Sequence, residues 1–268
     1  MPTIRVVAPA KINLALHVTG KRADGYHLLD SHVVFARDAH DTLEVCPAQD
    51  MELIVDGPFA DGVPTDARNL CWRAAEAFGA PVSIRLTKAL PHAAGIGGGS
   101  ADAAAVLRAM EALFERRFTG DAALLGADVP VCLLSRSARM SGIGEIVAPV
   151  KSAEFHAVLV NPGVDVPTPN VFRALASRQN APLADLPDDG VDLAWLKAQR
   201  NDLQAPAMAC APVIATCLDA LKDAELARMS GSGATCFGLY SDGPAASAAA
   251  ERLRTRHPNW WVTASVLR

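Results

Sequence analysis

With 268 residues, half of them apolar, and a formal net charge of −4, the chain is long enough to bury one large core or two modest ones. Its lysines and arginines form no extended basic run, which argues against the phosphate backbone of nucleic acid as the main partner, and no apolar stretch approaches the ~18–20 residues that cross a bilayer. Six scattered cysteines without a CxxC pair predict reduced, buried thiols rather than disulfides or a zinc site.

The opening MPTIRVVAPAKINLAL enters strand-like alternation at once, without a leader pattern, so a cytoplasmic location is expected. Thr3–Ala8 and Ile12–Val18 are strand candidates. Around the second, Ile12, Leu14, Leu16 and Val18 take one face and Lys11, Asn13, Ala15 and His17 the other. Asp24-Gly25 signals a turn, and His32–Ala36 and Thr42–Cys46 read as further strands. Asp66–Phe78 is predicted helical, stopped by Gly79 and Pro81. Val82, Ile84 and Leu86 then alternate with Ser83, Arg85 and Thr87 in a strand that leads into PHAAGIGGGSADA. After Ser100 the period lengthens to about 3.6. Ala103, Val106, Leu107, Met110, Leu113 and Phe114 share one helical face, with Arg108, Glu111 and Glu115 opposite.

Near residue 150 the pattern restarts. A strand is expected at His156–Val160, helices around Asn170–Ala176, Leu193–Arg200 and Val213–Lys222, a strand at Thr235–Tyr240, a helix at Ala245–Arg256 and a last strand at Trp260–Val266. Ser177–Asp192, rich in Pro, Asp and Ala, reads as a mobile surface loop. The expectation is an α+β protein of two parts, 1–150 and 151–268, joined near Pro149–Glu154.

Strand, glycine loop, helix is the arrangement that turns unpaired backbone N–H groups and the positive end of a helix dipole toward an anion. Two known phosphate motifs do not fit: no lysine follows the glycines as a P-loop requires, and Ser100 stands where a Rossmann fingerprint has its third glycine. The alternatives at this point are a phosphate cradle and a plain tight turn. Ser100 is a candidate N-cap and phosphate or Mg²⁺ ligand. Asp102 is either a carboxylate favoured by the helix dipole or an organiser of a cation. Because the loop lacks its own lysine, a charge must come from elsewhere, and Lys11 of PAKIN is a candidate; its other reading is a solvated strand residue. In LLGADVPVCLL, Gly126 is expected to close a helix, and Asp128 is a carboxylate embedded in apolar sequence, either a site residue or part of a helix-end turn.

Three motifs, PAKIN near the start, PHAAGIGGGSADA in the middle and MSGSGATCF near the end, resemble in their order the GHMP kinases. ADGYHLLDS, LGADVPVCL, SGIGE, PGVDVPTPNVF and RNDLQ narrow the resemblance to the branch whose acceptor is a cytidine diphosphate ester. It covers essentially the whole chain. The fold it implies has an N-terminal domain of the ribosomal-protein-S5-domain-2-like type and a C-terminal ferredoxin-like α/β sandwich. The activity it implies is transfer of the γ-phosphoryl of ATP, with Mg²⁺, to the 2-hydroxyl of a methylerythritol cytidine diphosphate in non-mevalonate isoprenoid synthesis.

The resemblance maps the acceptor-facing lysine and aspartate onto Lys11 and Asp128 as catalytic residues. It maps the ATP phosphate loop onto Pro91, His92, Ala93, Ala94, Gly95, Ile96, Gly97, Gly98, Gly99, Ser100 and Ala101, with Gly231, Ser232 and Gly233 lying against it. Acceptor binding falls to Asn13, Tyr26, His27, Thr168 and Phe172; on the residues alone, Tyr26 and Phe172 read as ordinary core aromatics. Ala93 and Ala94 stand where many relatives carry glycine or other small residues, Ala101 stands where a second serine is usual, and the Phe114–Leu124 connection is short. The expected partners are ATP and the small-molecule acceptor, with no nucleic acid and no membrane, in a monomer or weak homodimer. A kinase of another small alcohol and a silent nucleotide-binding sensor are the alternatives.

Overall fold

A computed structural model describes residues 2–268. Two compact units share the chain and interleave along it. The first takes the residues up to Ala10, then Ala39–His92 and Gly97–Ser135; the second takes Lys11–Asp38, Ala93–Ile96 and Arg136–Arg268. Two long, mutually paired strands run through both, β1 (Ile4–Lys21) and β2 (His27–Pro47). Each absorbs two of the short strands expected from the sequence. Pro9 did not break β1, which among the described residues pairs with one named strand, β2, the edge setting in which a sheet tolerates proline. The polar stretch Arg37–Asp41 did not break β2, because Asp38 accepts hydrogen bonds from the Val266 N–H and Ser265 while Asp41 is buried against a lysine.

In the first unit, Thr42–Pro47 of β2 pairs antiparallel with β4 (Val82–Thr87), which pairs in parallel with β3 (Glu52–Asp56). Helix α1 (Leu70–Phe78) starts four residues later than expected. The Asn69 side chain caps it by accepting from the Cys71 N–H at 2.8 Å, and Asp66 instead closes a turn by accepting from the Arg68 N–H. It ends on Gly79 at φ +80°, a left-handed cap that favours glycine. Helix α2 (Gly98–Phe114) packs against it, burying Ala103, Val106, Leu107 and Met110 along the stripe that the sequence marks. A short α3 (Val129–Leu134) follows one 3₁₀ turn at Ala122–Leu124.

In the second unit, the hairpin β5 (Ala138–Gly142) and β6 (Ile146–Pro149) extends β2. An antiparallel sheet runs in the order β8 (Leu226–Met229), β9 (Cys236–Tyr240), β7 (Phe155–Asn161), β10 (Trp261–Leu267). The helices are α4 (Thr168–Arg173), α5 (Leu193–Lys197), α6 (Gln204–Cys210), α7 (Val213–Ala220) and α8 (Gly243–Arg256). Ala246, Ala249, Ala250 and Leu253 of α8 join Val158, Val160, Ile214 and Val262 in one core cluster. The α+β class stands as expected. β3, the β5–β6 hairpin, α6 and β8 lay outside the sequence reading, since each is too short to show a period.

Ser177–Asp192 forms no helix or strand, and it is pinned. Asn180 N–H donates to Val18 C=O, the Leu183 N–H donates to buried Asp30, and Arg139 grips the same Asp30 through two nitrogens. All six cysteines are free, as expected; Cys71, Cys132, Cys217 and Cys236 are buried, whereas Cys210 is exposed.

His32 is fully buried beside Trp195, with its Nδ1 unpartnered, and burial pushes its imidazole down to about 4. The unfolded chain therefore takes a proton below about pH 6.5 that the fold refuses until about pH 4. Stability carried by His32 should be complete above the upper limit and shrink by about 3 kcal/mol as pH falls through this window. Urea unfolding at pH 7 and pH 4, comparing the protein with His32→Leu, measures the difference; an equal pH response in both would refute it.

Candidate active site

The glycine loop is built by turning consecutive carbonyls inward. Ala94 C=O accepts from the Thr235 N–H at 3.1 Å, Gly95 C=O from the Ser230 hydroxyl at 2.9 Å, and Ile96 C=O from the Lys11 N–H at 2.9 Å. A trans peptide places N–H opposite C=O, so the N–H groups of Gly95, Ile96 and Gly97 turn the other way. Amides aligned in this manner make an anion cradle. The bend needs φ of +45° at Ala93, +71° at Gly95 and +63° at Gly97. At Gly95 a Cβ would also lie 2.5 Å from Ser230 C=O, and at Gly231 one would lie 2.7 Å from Gly95 C=O. The Gly231–Gly233 turn thus packs on the loop with no room for a side chain. Amides turned this way suit an anion such as a phosphate group.

Helix α2 begins inside the glycine run, with Gly97 as its N-cap, so Ser100 is not the cap that the sequence suggested. The left-handed Gly97 lets the backbone enter the helix early, which puts Ser100 in the first turn and Asp102 a turn deeper. A Cβ on Gly126 would lie 3.8 Å from the Ser100 hydroxyl, so the first unit brings the start of α2 beside the turn that carries Asp128. Gly126 closes no α-helix; Asp128 instead opens α3 as its N-cap residue, half-buried, without capping it through its side chain.

Beneath the loop lies a group absent from the sequence reading. The Lys88 ammonium, 4% exposed, sits between Asp41 and Asp102, 2.7 Å from the latter. Asp41 also accepts from the Ala89 and Leu90 N–H groups at 2.6 and 2.9 Å. Burial works to lower Lys88, but the two carboxylates more than offset it and hold it above its usual range. Burial pushes Asp102 up to about 7 against the pull of Lys88. The cation that Asp102 meets is thus a lysine of the chain, and a Cβ on Gly98 would lie 3.6 Å from its Nζ. A lone lysine three residues before Pro91 was the available signal.

The acceptor-side residues named from the sequence lie in the second unit. Lys11 is 5% exposed and Asn13 3%. Asn13 donates its N–H to the Ser230 hydroxyl at 3.0 Å and its Nδ2 to Ser31 at 2.8 Å, and its Oδ1 is buried without a partner. His27 stacks on Phe172 with centroids 4.7 Å apart. Its Nε2 is buried and unpartnered; burial, then Lys21 and Arg178, lower its imidazole. Tyr26 is not a core aromatic: it is 61% exposed, and Phe172 has His27 as its ring neighbour. Thr168 shares a 2.7 Å hydrogen bond with Ser232. Of the remaining loop residues, Pro91 and Ala101 are buried and Gly99 is exposed, while His92 is exposed edge-on to Phe59.

Family models for the GHMP kinases N terminal domain and the GHMP kinases C terminal match residues 69–136 and 191–259. The 4-diphosphocytidyl-2-C-methyl-D-erythritol kinase of Dinoroseobacter shibae is 57% identical, over 97% of this chain and 94% of its own length. The chain belongs to the GHMP kinases, in that enzyme's branch. The like-named protein of Paracoccus denitrificans is 53% identical over 98% and 96% of the two chains. A crystal structure of 4-(cytidine 5'-diphospho)-2C-methyl-D-erythritol kinase matches at TM-score 0.80 and 36% identity, over 98% of this chain and 99% of that one. A homoserine kinase from Cytophaga hutchinsonii, at 16% identity and TM-score 0.69 over 100% and 95% of the chains, shares the GHMP fold.

Three variants test this geometry. Gly95→Ala should raise the dissociation constant for ATP at least about tenfold, since its Cβ must displace backbone at a left-handed residue; isothermal calorimetry reads this. Lys88→Met, which leaves two buried carboxylates without their cation, should cost about 3–5 kcal/mol in urea unfolding. Adding Asp41→Asn and Asp102→Asn to Lys88→Met should recover part of that loss, and no recovery would mean that charge is not the cause.

Proposed function

We propose that the chain is an ATP-dependent kinase that phosphorylates the 2-hydroxyl of 4-diphosphocytidyl-2-C-methyl-D-erythritol, giving the 2-phosphate and ADP in the non-mevalonate isoprenoid pathway. The observation that carries this reading is the combination of the inward-pinned glycine loop with near-full-length identity to kinases of that name. Residues 91–101 hold the ATP phosphates through backbone amides. His27 and Phe172 form the platform for the cytosine ring, with Tyr26 and Thr168 at its margin; the unpartnered His27 Nε2 and Asn13 Oδ1 are available to the acceptor's polar groups. On this reading, 1–150 carries the phosphate loop and the catalytic residues, and 151–268 completes the acceptor pocket.

Asp128 accepts a hydrogen bond from the 2-hydroxyl and aims its oxygen at the γ-phosphorus. As that oxygen bonds to phosphorus, the bond from phosphorus to the β–γ bridging oxygen breaks, ADP departs, and the hydroxyl proton passes to Asp128. Lys11 stabilises the charge on the attacking oxygen and the moving phosphoryl group. The Ser100 hydroxyl, a hard oxygen at the start of α2, would hold a Mg²⁺ that would supply counter-charge to the phosphates. The free thiols agree with a reducing cytoplasm. Among the described residues no helix is long and apolar enough to cross a membrane. A monomer or weak homodimer completes the proposal.

ADP release with Mg-ATP should occur with the cytidine ester and not with mevalonate or homoserine. Asp128→Asn should lower kcat at least about 100-fold while ATP affinity changes less than about threefold. Turnover with another alcohol alone would reassign the acceptor, and ATP binding with no turnover on any acceptor would favour the sensor. Phe172→Ala should raise the acceptor KM about tenfold and leave that for ATP unchanged.

A further inference from the structure

The RNDLQ segment has no role in the chemistry above, yet the second unit gives it a defined task. Its backbone zips onto β1 through Leu16, whose N–H donates to Arg200 C=O and whose C=O accepts from the Asp202 N–H, both at 2.9 Å. Asn201, 8% exposed, uses both polar atoms of its side chain: Nδ2 donates to Met229 C=O at 2.7 Å and to Gly231 C=O at 2.9 Å, and Oδ1 accepts from the Leu203 N–H at 2.9 Å. Gln204 Oε1 accepts from the Met229 N–H at 3.0 Å. The carbonyls that Asn201 grips flank Ser230.

Ser230 is fully buried, and its hydroxyl accepts from the Asn13 N–H and donates to Gly95 C=O. One hydroxyl thus ties the strand carrying Lys11 to the glycine loop. A hydroxyl hydrogen must point at its acceptor, so the loop's register depends on where the flanking peptides hold Ser230.

We propose that Asn201 is a positioning residue for nucleotide binding: through the Met229 and Gly231 carbonyls it sets Ser230, and Ser230 sets the inward turn of Gly95 that aligns the loop amides. This rests on the assignment of residues 91–101 to ATP. It predicts that Asn201 and Ser230 act in series and chiefly on the nucleotide side.

The test compares Asn201→Asp, Asn201→Ala, Ser230→Ala and the Asn201→Ala/Ser230→Ala double variant. Asn201→Asp keeps shape and the Leu203 bond but meets two carbonyls with lone pairs; Ser230→Ala removes one oxygen and is the variant expected to fold in any case. Calorimetry with ATP should show each single variant weakened about tenfold, with the double variant no worse than about twofold beyond the weaker binder. In turnover, the KM for ATP should rise by the same factor and the acceptor KM stay within about twofold. Unchanged ATP affinity alongside a lowered melting temperature would show a merely structural role, and multiplicative losses in the double variant would break the series; either outcome overturns the proposal. Wild-type protein that binds ATP but turns over no acceptor overturns the kinase reading instead, and leaves the calorimetric comparison intact.

Discussion

A backbone that must present several amides to one anion has to dispose of the carbonyls attached to them. Here three successive carbonyls, those of Ala94, Gly95 and Ile96, are each given a donor: the Thr235 N–H, the Ser230 hydroxyl and the Lys11 N–H. Every other feature of the loop follows from that constraint. The left-handed residues allow the bend, and Gly95 and Gly231 have no Cβ because backbone occupies the space where it would lie. The three donors come from distant parts of the chain, which is why the motifs at its start, middle and end belong to one device. None of them contributes a charge; the cradle is made by direction.

Charge is handled separately. Under the start of α2 a lysine is enclosed by two carboxylates, a costly arrangement that is compensated by the Ala89 and Leu90 N–H groups on Asp41. Such a cluster fixes where the helix begins relative to the strand that feeds it. On the acceptor side the second unit uses a different economy: a stacked His27–Phe172 pair and an Asn13 whose amide oxygen is left without a partner. Unsatisfied buried polar atoms are rare in folded proteins, and among the described residues of this unit they fall at Asn13 and His27, named from the motifs, and at His32 and Ser137, which were not.

Much of the fold was legible because period and punctuation were strong. The stripe of α2, the Gly79 stop and the alternation of β4 are local signals that the structure keeps, although α1 starts four residues later than expected and α2 begins inside the glycine run. β1 and β2 were read as pieces, since Pro9 and the Arg37–Asp41 polar run resemble breaks until their partners are known. Ser100 was misread as a cap because which glycine of a run turns left-handed is decided by what packs against it. The segment around Asp128 was read as following a helix closed by Gly126; it opens one instead, and only the fold shows that the Ser100 hydroxyl lies beside the same turn.

The sequence by itself determined the class of the protein, the order of its motifs and the identity of its family, because these rest on residue types and spacings that the chain carries locally. Tertiary structure alone decided that Lys88 belongs to a buried triad, that Ser230 bridges β1 and the glycine loop, that Tyr26 faces outward and that Asn201 grips the turn beside Ser230. Those facts depend on contacts between residues tens to hundreds of positions apart, as in the 217 positions between Asn13 and Ser230. Local preference does not specify them; they are set when the core closes and each buried polar group must find its partner.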